Sequence, residues 1–161
     1  MTRADDIPRR AARVLLVDAA DRVLLFQGHD PARPGHRYWF TVGGGLDGDE
    51  PMTVCAAREL FEETGLDLPT DQFGEPVWHQ VTRFPFDGRW YRQEQEFFLV
   101  RVDHWDVVTH GFDAVEQASI DGHRWWSISE LESTSERYYP DELPGLLRRL
   151  LSRDNAEAST C

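Results

Sequence analysis

Between Gly43 and Gly65 the chain reads GGGLDGDEPMTVCAARELFEETG, and this stretch restricts the fold more than any other. Its first half is too rich in glycine to be the interior of a helix or a strand, so it is expected to be a loop over Gly43 to Asp49. Pro51 suits the first position of a helix, with Asp49 or Glu50 as the cap before it. Ala56, Ala57, Leu60 and Thr64 recur at helical spacing, and Gly65 suits the left-handed residue that ends helices. The predicted helix runs from Pro51 to Thr64. Residues three and four apart are neighbours on a helix, so Glu59 lies beside Glu62 and Glu63, and Arg58 lies beside Glu62.

An acidic run on a helix is ordinarily a solvated face. Like charges at this spacing oppose one another, however, and the helix has no lysine to interleave them. Such crowding becomes favourable when a hard divalent cation takes oxygen ligands from it. The glycine loop leads directly into the carboxylates, and glycines let a backbone approach a ligand closely. Together they form a metal-diphosphate site that neither forms alone.

Elsewhere the pattern is that of a β-rich domain. Residues 1 to 10 look like a loose polar arm. Ala12–Ala19 and Arg22–Gln27 read as a hairpin, Gly28–His36 as a loop and Tyr38–Val42 as a short strand. Val77–Phe86 and Gln93–Val102 read as strands turning at Asp87-Gly88. Residues 103–122 look loop-like, and Arg124–Ile128 is a predicted strand. Ser129–Glu132 is a helical turn capped by Ser129, and Asp141–Ser152 is an amphipathic helix. A single domain is expected over 1–154, with a disordered tail over 155–161.

The composition narrows the function. A net charge of −12 repels nucleic acid backbones and anionic membranes, so neither is an expected partner. An anionic substrate would need a local cation to overcome that repulsion. The only cysteines are Cys55 and Cys161, which is no disulfide framework, so a cytoplasmic location is expected. Cys55 is read as a small buried residue of the helix.

From Gly44 to Leu66 the chain resembles the Nudix box, G-x5-E-x7-R-E-U-x-E-E-x-G-U with U aliphatic, at every defined position. The resemblance implies a Nudix-type α/β/α sandwich with a mixed central β-sheet, the box helix on one face and the C-terminal helix on the other. It implies a hydrolase in which Glu59, Glu62, Glu63 and the Gly43 carbonyl bind Mg2+, with Mn2+ a substitute. In that reading Arg58 orients the glutamates and Glu50 ties loop to helix. The implied reaction is attack by a metal-activated water on a nucleoside diphosphate linked to another group. A distal glutamate often completes such sites; Glu116 is the first choice, Glu96 the second and Glu94 the third. The resemblance is also compatible with a homodimer.

Arg83, Arg89 and Arg92 are candidate phosphate clamps, each balanced against an ordinary solvated arginine. Trp39, Tyr38, Phe84 and Trp90 are candidates for stacking on a base, balanced against core or rim packing. Val42 stands where many family members have proline, which affects loop rigidity only. No substrate-class marker is found downstream of the box. Two competitors remain: a nucleotide-binding sensor without catalysis, and an isopentenyl-diphosphate isomerase. The isomerase needs a cysteine near the glycine strand, and none lies between Met1 and Met52.

Overall fold

Strand β1 (Ile7–Val17) is the axis of the molecule, whose computed structural model describes residues 5–109 and 114–158. It runs parallel to β5 (Arg89–Arg101) along its whole length, from Ile7↔Tyr91 to Val17↔Arg101. On its other side it pairs with the end of β3 (Arg33–Gly45), from Ala11↔Gly45 to Val14↔Val42. The earlier part of β3 pairs antiparallel with β2 (Val23–Asp30), ending at Leu25↔Thr41. Strand β3 therefore leaves β2 after Thr41 and crosses to β1 at Val42. β4 (Trp78–Phe86) pairs with β5, β6 (Ile120–Trp126) with β2, and β7 (Tyr138–Tyr139) with β3, which completes a mixed seven-stranded sheet.

Both faces of this sheet are covered at the end of β1, which is why Val14–Val17 is a continuous apolar run rather than an alternating one. Ala12, Val14 and Leu16 point to one side and join Cys55, Ala56 and Leu60 of α1 (Met52–Thr64). Leu15 and Val17 point to the other. They join Leu131 of α3 (Ile128–Ser133) and Leu143, Leu147 and Leu150 of α4 (Leu143–Ala158). The chain is thus the α/β/α sandwich that the box implied, with α1 and α4 on opposite faces. Among the described residues, no helix is long and apolar enough to cross a membrane.

Several boundaries differ from the sequence reading. The polar residues Ile7–Arg10 are strand rather than arm, because β5 offers backbone partners as far as Tyr91. Sheet context here overrides side-chain preference. The Asp18–Asp21 turn is present, but β1 and β2 pair only at Val17↔Val23 before diverging. The expected loop Gly28–His36 is mostly strand. Strand β5 starts at Arg89, since Asp87 (φ 50°) and Gly88 (φ 78°) form a two-residue turn whose twist keeps the strands paired to the end. Pro51 is itself the helix cap, extended at ψ 151° with no side-chain acceptor, whereas Gly65 ends α1 in the left-handed region as expected. The cap of α3 is Ser127, not Ser129. Its hydroxyl accepts from the Glu130 amide, while the Glu130 carboxylate accepts from the Ser127 amide. β7 and α2 (Ala114–Ser119) are too short to carry a period, and neither was expected. Helix α4 continues through Ala158, so residues 155–158 are helical; 159–161, with Cys161, lie outside the described residues.

Candidate active site

Ala56 and Leu60 anchor α1 to the sheet and thereby turn Glu59 and Glu63 inward, 7% and 1% exposed. β2 has already parted from β3 at this level, and the vacated edge admits the Glu63 carboxylate. The Gly43 amide donates to Glu63 Oε2 at 2.8 Å. Two of the glycines are required by geometry. Gly43 has φ 141°, and a Cβ there would stand 2.2 Å from the Ala12 carbonyl oxygen. A Cβ on Gly44 would stand 2.5 Å from Glu59 Oε1, so the missing side chain is the space that the carboxylate occupies.

A third carboxylate arrives from α2. Glu116 brings an oxygen to Glu59 and Glu63 such that the three ligand atoms lie within 4.8 Å of one another. Glu62 is not in this group. One position round the helix from Glu63, it sits at the rim with its side chain 32% exposed, 3.5 Å from Arg58. Of the other distal candidates, Glu94 pairs with His79 at 3.2 Å on an exposed face, and Glu96 stands opposite His79 on β5.

Crowding and burial show in the protonation of these groups. Burial pushes Glu63 well above the usual carboxylate range; Glu59 and then Glu116 push it further, against the Gly43 amide and Arg13. Burial also raises Glu59, despite the opposing Arg58 charge. The donor set is three oxygens with excess negative charge, which suits a hard divalent cation. The direction of the pH response follows. In the metal-free protein the unfolded chain ionises these carboxylates first, so stability falls as pH rises from the ordinary carboxylate range towards the folded values. A cation must displace the retained protons, so its affinity rises over the same window. The magnesium-induced rise in Tm is expected to be larger at pH 8 than at pH 5, the lower value lying just above the ordinary carboxylate range from which both groups are raised. Differential scanning fluorimetry at both values checks this, and an equal rise would contradict it.

Arg58 spans the box. Its Nη2 donates to Glu50 Oε1 at 2.5 Å and to the Gly45 carbonyl at 3.2 Å. Its Nη1 donates to Glu59 Oε1 at 3.0 Å, and its Nε lies 3.4 Å from Asp47 Oδ2. Glu50 Oε1 also accepts from the Asp47 amide at 2.9 Å, and the hydrogen bond from Arg58 holds Glu50 below the usual carboxylate range. Cys55 is fully buried in the α1 core, its thiol turned to the carbonyls of Gly44 and Gly45. Burial pushes that thiol up to about 12, so Cys55 is not a thiolate nucleophile at neutral pH.

The substrate candidates fare differently. Trp39 is a correction: it is 8% exposed and packs edge-on to Trp126 at 5.1 Å, in the core under α4. Its place on β3 puts the ring on the face away from α1, where it stabilises the core and cannot stack on a ligand. Arg83 is engaged by buried Asp6 at 2.7 Å and lies 3.9 Å over the Trp90 ring. Arg92 stands opposite Arg83 in register, and Arg89 is exposed at the hairpin end. Phe84 stacks on Tyr91 at 5.7 Å, and Tyr38 packs on Phe40 and Tyr139. Sequence reasoning missed Arg13, whose guanidinium donates to Gln95 Oε1 at 3.3 Å and to the Thr41 carbonyl at 3.2 Å. The available signal was a single arginine set inside the otherwise apolar run ARVLLV.

Comparison with known proteins bears on the family and the fold. The NUDIX domain family model matches residues 7–148. An RNA pyrophosphohydrolase of Acidiphilium cryptum is 29% identical over 138 residues, which is 81% of this chain and 83% of the relative. Among solved structures, the NUDIX domain of Shewanella oneidensis NrtR complexed with ADP ribose superposes with a TM-score of 0.65 at 17% identity, over 91% of this chain and 90% of the other. A MutT protein from Methanosarcina mazei does so with a TM-score of 0.62 at 17% identity, over 95% and 99%. The chain belongs to the NUDIX domain family and is a Nudix hydrolase.

Proposed function

We propose that this protein, acting as one domain over 1–154, hydrolyses the diphosphate linkage of a nucleoside diphosphate attached to another group, with Mg2+ or Mn2+ as cofactor. The observation that carries this reading is the meeting of Glu59, Glu63 and Glu116 from two separate helices within 4.8 Å, two of them buried. Those three residues hold the cation, joined by the Gly43 carbonyl and, from the rim, by Glu62. When bound, the cation neutralises the diphosphate and lowers the pKa of the attacking water. Arg58 keeps Glu59 turned to the site and ties the Gly45 carbonyl and Glu50 to the same helix. A small-molecule substrate suits a chain of net charge −12 better than a polyanionic backbone does.

The test is phosphate release from a panel of nucleoside diphosphate derivatives, with magnesium and with a chelator. Turnover that needs the cation is expected. Tight nucleotide binding without turnover on any member of the panel would instead make the protein a sensor. The isomerase alternative lacks its thiol, since Cys55 is buried and protonated.

A further inference from the structure

Thr64 is the last residue of α1 and follows Glu63 directly. Its carbonyl lies in the final turn, where a helix leaves its oxygens without partners inside the helix. Two donors from one distant segment meet it. The Trp105 indole Nε1 donates to the Thr64 oxygen at 2.8 Å, and the Val108 amide donates to the same oxygen at 2.9 Å. The segment is fitted to this spot as well as bonded to it. The Trp105 and Val107 side chains pack against the core under α1. Gly65, left-handed at φ 79°, leaves the room that Val108 occupies: a Cβ there would stand 3.1 Å from the Val108 oxygen and 3.2 Å from the Val108 Cβ.

The same segment leads into α2. Thr109 follows Val108, and residues 110–113 then separate it from Ala114, where α2 begins. A helix of 6 residues is too short to be stable by itself, so what its ends are tied to decides where Glu116 lies. The far end is fixed by the sheet. The Ser119 carbonyl oxygen stands so close to Gly28 that a Cβ on that glycine would come within 2.9 Å of it. The near end follows the segment that Trp105 and Val108 tie to α1. That attachment is one residue from Glu63, so Glu63 and Glu116 are located from a single point.

We propose that Trp105 is a positioning residue for the cation site: by donating to the Thr64 carbonyl it sets the start of α2, and so holds Glu116 within reach of Glu59 and Glu63. This rests on the reading of those three carboxylates as the ligands of the cation. Their oxygens lie within 4.8 Å of one another, and like charges oppose that approach. The restraint must therefore come from the elements that carry them. An indole N–H suits the task, because it is a neutral donor that neither repels the cation nor pairs with a carboxylate in its place.

The experiment is a double-mutant cycle read as Mn2+ affinity without substrate, from the free-ion electron paramagnetic resonance signal. Trp105→Phe keeps an aromatic ring in the core and removes the N–H. It is expected to weaken Mn2+ binding about fivefold, the scale of one net hydrogen bond. In a Glu116→Gln background the same substitution is expected to change the affinity no further, because the group it positions is already gone. A purely structural Trp105 would lower Tm and leave the affinity where it was. Trp105→Phe with wild-type affinity overturns the proposal, as does an equal loss with and without the Glu116 carboxylate. Glu116→Gln with wild-type affinity is a different failure: it removes Glu116 from the cation site, and the proposal falls with that reading. If Trp105→Phe does not fold, Gly65→Ala, which crowds Val108 at the same attachment, takes its place in the cycle with the same outcomes.

Discussion

Glu63→Gln is expected to reduce magnesium-dependent turnover by about a thousandfold or more, while leaving the metal-free protein at least as stable as the wild type. Both halves follow from one environment. Glu63 is 1% exposed and is repelled by Glu59 and Glu116, so its charge is costly until a cation arrives. The amide oxygen of glutamine still accepts from the Gly43 N–H that now bonds Oε2 at 2.8 Å. The variant therefore keeps the hydrogen bond and loses the repulsion. It also loses the charge that fixes the cation, and a cation's stabilisation of the transition state amounts to several kcal/mol, or about three powers of ten in rate. Turnover and Tm, each measured with and without magnesium, check the prediction. Near-normal turnover would remove Glu63 from the site. A large drop in metal-free Tm would mean that its role is structural.

Arg58→Ala is expected to act in the opposite sense, lowering stability and activity together. The guanidinium contacts Glu50, Glu59, Glu62, Asp47 and the Gly45 carbonyl, and Glu50 and Glu59 are themselves mostly buried. Removing one partner of a fully buried pair costs about 3–5 kcal/mol. The Arg58 side chain is 26% exposed, and solvent screening reduces the figure to about 2–3 kcal/mol. For a chain of this size that is a fall in Tm on the order of 5–10 °C. Magnesium affinity falls as well, because Glu59 is no longer held in place. Arg58→Lys keeps one point charge but not the fork that reaches Glu50 and Glu59 at once, so only part of the loss is recovered. Chemical denaturation of the two variants separates these terms. An alanine variant as stable as the wild type would show that the contacts are surface decoration.

What was legible in the sequence was local. The helix from about Pro51 to Thr64 could be read because its period, its proline and its terminal glycine are all encoded within a few residues of one another. The proximity of Glu59 to Glu63 follows from the same geometry, as does the Asp87-Gly88 turn. The extent of β1, β3 and β5 was not legible, because Ile7–Arg10, Arg33–Arg37 and Arg89–Arg92 are interrupted by arginines, and the first two also by proline, and become strand only when a neighbour offers backbone partners. Trp39 shows the same limit. Its residue type fits either a stacking platform or a core, and only the placement of Trp126 and α4 on its face decided for the core.

The site divides along the same line. The run from Gly44 to Leu66 by itself determined that carboxylates would crowd one end of one helix, because a helix places side chains three and four residues apart together whatever surrounds it. Only the tertiary structure decided that Glu116 joins Glu59 and Glu63 while Glu62 stays at the rim, and that Trp105 reaches the Thr64 carbonyl. Those meetings depend on how α2 lies on β2 and on where β3 leaves one neighbour for another. They are set by the packing of segments far apart in the chain, which no short window of residues contains.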